Sequence, residues 1–183
     1  PPMANPMPRL FFGFFGEWIS YAAGIFSAAA IKRGWEVEMR EVPPDTTDET
    51  VAAWLDEFNP DLVAMSLMTV DRRQAFQLAR LARARKSRTV AGGVHASVCP
   101  EDLIKTGLFD AVVQGDGMGV WQKILEGYKD LDGRIIQGAR HGDPALYYDR
   151  HYSEGQKERM RRSKTFETLT ALGCPFSCTY CAT

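Results

Sequence analysis

The sequence predicts an α/β protein: a doubly wound parallel sheet of five strands, followed by the opening strand and loop of a second unit. Three observations carry this. Short runs rich in Val, Leu and Phe recur along the chain, as strands buried on both faces do; helical patterns separate them with short connections; and glycines cluster where the runs end. At 183 residues, with 45% hydrophobic content and a net charge of -1, the chain has room for one sizeable core.

Residues 1–8, proline-rich and without an initiator Met, read as a disordered or trimmed terminus with no fold information. Leu10 to Ile31 then carries a single charge, Glu17, between Arg9 and Lys32-Arg33, a profile that hydropathy alone would assign to a membrane span or signal peptide. The stretch Phe11-Phe12-Gly13-Phe14-Phe15-Gly16-Glu17 breaks that run into a buried strand, Leu10–Phe15, and an Ala-rich helix, Trp18–Arg33. Glu17 itself has no role that the sequence argues. The next strands are Glu36–Val42, Leu62–Leu67, Thr89–Ala91 and Ala111–Val113. Helices are expected at Asp48–Phe58, behind the Thr46-Thr47-Asp48 cap signal, and at Asp71–Arg85, Pro100–Lys105 and Met118–Tyr128. Residues 9–128 therefore form one domain. From 129 to 164, Gly133, Gly138, Gly142, Pro144 and Gly155 interrupt the pattern; this stretch reads as a linker, with Tyr147-Tyr148 at the domain boundary. Thr165 to Leu172 alternates as a strand, so residues 165–183 read as the first strand and loop of a truncated second domain.

Charge and cysteine usage narrow the function classes. Balanced charge gives no support for a nucleic-acid partner, and the run Arg159, Arg161, Arg162, Lys164 reads as a solvated face. No membrane partner is expected either. Four cysteines, three of them clustered, suit a reducing, cytoplasmic compartment and a metal site better than a disulfide framework. Cys99, beside Pro100, is expected to be a small buried side chain rather than a ligand.

The cluster is Cys174-x3-Cys178-x2-Cys181. Thiolates at this spacing close on one metal centre from a single loop, and three ligands on a four-iron cubane leave one iron open to a substrate or cofactor. A zinc knuckle borrowing a distant histidine, or thiols that are merely neighbours, are the alternatives; no His follows Cys174. With its Gly173-Cys174-Pro175-Phe176 lead-in and Tyr180 before the third cysteine, the triplet resembles the motif of radical S-adenosylmethionine (SAM) enzymes. That resemblance implies a [4Fe-4S] cluster on Cys174, Cys178 and Cys181, with SAM on the free iron beside Tyr180.

The strand exits offer Gly16, Ser66-Leu67-Met68-Thr69, Gly92-Gly93-Val94-His95 and Gly115-Asp116-Gly117. In an open parallel sheet a ligand sits beyond these ends, although ordinary turn chemistry would use the same residues. Their mutual spacing resembles cobalamin-binding domains of the methionine-synthase type. In that register Ile19-Ser20-Tyr21-Ala22-Ala23-Gly24 stands where such domains carry Asp-x-His-x-x-Gly, so the glycine is kept and Tyr21 replaces the histidine. Met68 likewise replaces a leucine, and Asp116 a glutamate. Together the motifs resemble cobalamin-binding radical SAM enzymes, in which a Rossmann-like corrinoid domain precedes a partial (β/α) barrel.

The resemblance implies cobalamin bound base-off, without a histidine ligand, against Gly16, Tyr21, Ser66, Met68, Thr69, Gly92, Gly93, His95, Gly115, Asp116 and Gly117. Tyr21 or the Met68–Arg72 loop would cap the lower cobalt face; a helix residue packing its ring on the sheet is the other reading of Tyr21. The implied activity is a methyltransferase that moves a methyl group from SAM via methylcobalamin to an unactivated carbon. A cobalamin-dependent cyclase or rearrangement enzyme is the alternative, and a non-catalytic corrinoid carrier or sensor is the alternative of another class. A small-molecule or peptide substrate, an external electron donor and a monomeric state are the expected partners and assembly. A barrel of this kind needs on the order of 200 residues, so the catalytic residues, unknown here, are expected beyond Thr183.

Overall fold

The computed structural model describes residues 7–16 and 20–166. Six strands form one sheet: β1 (Arg9–Phe14), β2 (Glu36–Glu41), β3 (Leu62–Ser66), β4 (Arg88–Gly92), β5 (Ala111–Gln114) and β6 (Arg134–Gln137). Their order is β2-β1-β3-β4-β5-β6, and every neighbouring pair is parallel. The helices are α1 (Tyr21–Ile31), α2 (Asp48–Phe58), α3 (Arg72–Ala84), α4 (Val94–Val98), α5 (Pro100–Ile104), α6 (Met118–Glu126) and α7 (Glu154–Ser163). This is the Rossmann-like parallel α/β architecture that the sequence predicts.

Strand alternation builds a core on each face. In β1, Leu10, Phe12 and Phe14 join α1 and α6 in one cluster, while Phe11 joins α2, α3 and Phe15 in the other. Each such Phe or Leu contributes about 1.5–3 kcal/mol on burial, so β1, buried from Leu10 to Phe14, ties the two clusters together. The run that mimics a membrane span is thereby consumed by a central strand and an 11-residue helix. No described helix is long and apolar enough to cross a membrane.

Helix α1 starts after Ser20, whose Oγ accepts from the Ala23 N–H at 3.3 Å; the expected start at Trp18 lies outside the described residues. Helix α2 begins at Asp48 as expected, with Thr47 as its cap. Strand β6 adds to the five expected strands. It is four residues long, bounded by Gly133 and Gly138, and sits at the sheet edge with Ile135 and Ile136 only partly buried. So short a half-buried run has no period of its own, and it forms because β5 offers a free edge.

Two further elements follow in the stretch that reads as a linker: a 3-10 turn at Pro144–Tyr147 and α7, capped by a reciprocal Ser153–Gln156 pair. Within the basic run, Arg159 reaches Glu41 of β2 at 2.5 Å and Arg161 reaches Glu158 at 3.4 Å. Cys99 is a correction to the sequence reading. It is exposed, because it occupies the bend between α4 and α5 and the adjacent Pro100 takes the buried position. The strand expected at Thr165–Leu172 and the cysteine loop fall largely or wholly outside the described residues.

Candidate functional site

The exits of β3, β4 and β5 converge on one cleft of about 270 Å³ beyond the carboxyl ends of the strands. Phe12, Ala64, Val90 and Val113 form its floor. Ala22, Ile25 and Phe26 of α1 make one wall, and Met118 and Trp121 of α6 the other. The Trp121 indole N–H donates to the Phe26 carbonyl at 3.0 Å, which holds the two rings with centroids 5.0 Å apart at a 60° tilt. Phe12 stacks on the other side of Phe26 at 6.3 Å. The result is an apolar, aromatic-walled slot with polar groups at its rim.

The rim is built from backbone. Gly93, at φ 95°, is where only glycine fits: a Cβ would stand 2.7 Å from the Leu67 nitrogen and 2.8 Å from Ser66 Oγ. That closeness locks the exits of β3 and β4, since the Leu67 N–H donates to the Gly92 carbonyl and the His95 N–H to the Leu67 carbonyl, both at 3.1 Å. Gly92 is different. A Cβ there would find only the Met65 carbonyl, at 4.0 Å, so its missing side chain leaves open space in the cleft.

At the exit of β5, Asp116 serves two structural bonds. Its Oδ1 accepts from the Met118 N–H at 2.9 Å, at the first residue of α6, and its Oδ2 accepts from the Tyr147 hydroxyl at 2.9 Å. Burial raises the Tyr147 phenol above its ordinary pKa; the His141 N–H opposes this and the Asp116 carboxylate adds to it. Gly138 and Gly119 let the strand-six exit press on this turn, with Gly138 N–H to Gln114 carbonyl and Gly119 N–H to Ala139 carbonyl both at 2.7 Å.

Of the residues singled out from sequence, Ser66, Gly92, Gly93, Gly115, Asp116 and Gly117 meet around this cleft. Gly16, at φ 85°, turns the chain after β1 and does not line it. Tyr21 opens α1 beside the cleft wall, its ring covered by the Arg150 guanidinium at 4.2 Å. Met68 and Thr69 stand exposed on the β3 exit loop. His95 is 3% exposed and turned inward, its Nδ1 3.1 Å from Thr69 Oγ1 and its Nε2 3.2 Å from Asp102 Oδ2. Cys174, Cys178, Cys181 and Tyr180 lie outside the described residues. Among the described residues no cluster of His, Cys, Asp and Glu is arranged to hold a metal.

Sequence reasoning missed Phe26 and Trp121, and singled out Tyr147 at a domain boundary without connecting it to the cleft. The apolar spacing of α6 places Trp121 inward, but nothing in it distinguishes a cleft wall from ordinary core. Tyr147 is drawn in by β6, whose pairing was not legible.

The sequence pattern of the B12 binding domain family matches residues 14–125. The chain is 25% identical over 129 residues to the bacteriochlorophyllide d C-8(2)-methyltransferase of Chlorobaculum tepidum, a match covering 67% of this chain and 28% of that protein. Among solved structures it is similar to the cobalamin-dependent S-adenosylmethionine radical enzyme OxsB with aqua-cobalamin bound, at a TM-score of 0.56 and 16% identity, over 68% of this chain and 19% of OxsB. The OxsB structure that also holds S-adenosylmethionine matches with the same figures. This structural likeness, at such identity, is one of fold.

Proposed function

The chain belongs to the B12-binding domain family, and we propose that it binds cobalamin base-off, as the corrinoid domain of a cobalamin-dependent radical SAM methyltransferase. The observation that carries the first half is the aromatic-walled slot with Gly92 open at its rim. At about 270 Å³ it lies below the roughly 300–1,000 Å³ of clefts that bury whole drug-sized ligands. It suits a flat bicyclic aromatic such as the displaced base, with the macrocycle outside over the strand exits. The residues present fit the group.

In this reading Phe26 and Trp121 clasp the base, Gly92 leaves it room, Gly117 makes way for the Phe26 ring, and Ser66 is the hydroxyl at the rim. Tyr21, where a histidine ligand would stand, has its ring under Arg150. The apolar Met68–Val70 turn is then the surface nearest the macrocycle, and it presents no nitrogen donor. When bound, the corrinoid supplies a cobalt centre that carries a methyl group, and a cluster on Cys174, Cys178 and Cys181 with SAM supplies a carbon radical. The chain's own residues exclude water from the base and hold the macrocycle in place. Support for the methyltransferase half comes from the cysteine triplet and from the activity named for the Chlorobaculum tepidum relative. The substrate and an external electron donor are part of the same proposal.

Anaerobic purification with iron, sulfide and cobalt analysis tests both halves. The expected result is one corrinoid with a base-off absorption spectrum and about four irons, the irons lost in a Cys174→Ala/Cys178→Ala/Cys181→Ala variant that still binds the corrinoid. Absence of corrinoid binding removes the first half. Corrinoid without iron leaves a carrier module and removes the second.

A further inference from the structure

The β3 exit loop is unusual in being both apolar and tightly held. Met68 is 51% exposed and Val70 79%, and Val94 and Val98 on the neighbouring exit are also exposed. Apolar side chains scattered singly over a surface need no explanation, whereas several exposed on neighbouring strand exits point to a binding surface. This loop is fixed from within and from outside. Internally, the Met68 N–H donates to Asp71 Oδ2 at 2.8 Å, and Asp71 is itself buried.

The outside grip comes from one side chain. His95 sits in α4, its backbone N–H already on the Leu67 carbonyl. Its ring, 3% exposed, spans from Thr69 Oγ1 to Asp102 Oδ2 in α5. The carboxylate can only accept, so Nε2 carries a proton, and Nδ1 shares the other hydrogen bond with the Thr69 hydroxyl. Asp102 also pairs with Arg72 Nη1 at 3.2 Å. Both ends of the Thr69–Asp71 turn, Thr69 and Arg72, are therefore anchored to the α4–α5 unit through His95 and Asp102.

We propose that His95 is a positioning residue for the corrinoid, acting through Thr69 to hold the Met68–Val70 turn as a preformed apolar platform, and touching no part of the cofactor itself. A platform ordered before binding costs less to occupy than one ordered on binding. This inference rests on the cobalamin reading of the cleft.

The ring nitrogens can be separated by substitution. His95→Asn places an amide near Nδ1 and keeps the Thr69 bond while losing Asp102; His95→Gln reaches towards Nε2 and does the reverse. Thr69→Val removes the hydroxyl alone. Hydroxocobalamin titrations of the full chain, followed by absorbance, are paired with hydrogen exchange of residues 67–72 in the cofactor-free protein. The expected result is that Thr69→Val and His95→Gln each raise Kd about five- to tenfold, the loss of one hydrogen bond, and speed exchange in that segment. His95→Asn is expected to stay within about twofold of wild type. A wild-type level of both affinity and exchange in Thr69→Val overturns the proposal, as does a loss of affinity in every His95 variant with Thr69→Val unchanged, which would mean direct contact. Equal losses in all variants, tracking their melting temperatures, would reduce His95 to a fold-stabilising residue. If wild-type protein fails to bind hydroxocobalamin, the cobalamin reading fails, and exchange in the cofactor-free variants still reports whether His95 holds the turn.

Discussion

The Tyr147 hydroxyl donates to Asp116 Oδ2 at 2.9 Å, and through that bond a segment following the last strand closes the cleft at the exit of β5. The same oxygen of Tyr147 accepts from the His141 N–H at 2.8 Å. Tyr147→Phe keeps the ring and strands both partners, so it is expected to cost about 1–3 kcal/mol, read as a lower melting temperature. The phenol titrates above its ordinary value in the folded protein, chiefly through burial. A raised value means stability that is constant below the ordinary tyrosine range, about 10, and lost as pH rises through the folded value. Wild-type stability should therefore fall more steeply than that of Tyr147→Phe in urea melts above pH 10.

The two glycines at the exit of β4 should separate stability from binding. Gly93→Ala meets the Leu67 backbone and a positive φ, and is expected to lose more than 2 kcal/mol, about the sum of overpacking and left-handed strain. Gly92→Ala meets only ordinary contact distances and should melt within a few degrees of wild type. It nevertheless narrows the cleft rim, and a tenfold or greater rise in the cobalamin Kd is expected, about 1.4 kcal/mol. Unchanged affinity in Gly92→Ala would move the base out of this cleft.

Asp110 anchors the opposite end of the sheet. Its Oδ2 accepts from the Thr89 N–H at 2.8 Å, and Oδ1 from Arg83 at 2.9 Å and Arg88 at 3.1 Å. Burial by itself raises this carboxyl, but the Thr89 N–H, Arg83 and the Thr89 hydroxyl outweigh it and hold it below its ordinary value. A lowered carboxylate stabilises the fold above about pH 4 and loses that contribution as pH falls through the folded value. Asp110→Asn is expected to cost about 1–3 kcal/mol at pH 7 and to flatten the acid limb of a stability profile below about pH 4. Parallel acid limbs would rule that role out.

Gly138 tests the sixth strand. A Cβ there would stand 2.5 Å from the Asp116 carbonyl and 2.8 Å from that of Gln114. Gly138→Ala is expected to cost about 1–3 kcal/mol through overpacking and to speed amide exchange in 134–147 ahead of the central strands.

Legibility from sequence followed burial. The strand of residues 10–15 and the helix of 48–58 were readable because continuous apolar runs and a Thr cap leave few alternatives. The short Val94–Val98 helix was not, since five residues after two glycines look the same as a loop. Within the site, glycines announced the strand exits, and six of the residues chosen there do meet. Phe26 and Trp121 carried no mark that set them apart from ordinary core, and His95 looked like a loop residue facing a ligand although its ring is buried.

By itself, the sequence determined the parallel α/β class, the location of the strand exits and the cysteine triplet, because these depend on local composition and spacing. Only the tertiary structure decided that Tyr147 meets Asp116 across 31 residues, that β6 completes the sheet and that His95 grips Thr69. The physical reason is that each of these is a pairing between polar or short segments with no periodic signal. Such groups have their partners set by where the loops emerge, which the packing of β1, α1 and α6 decides.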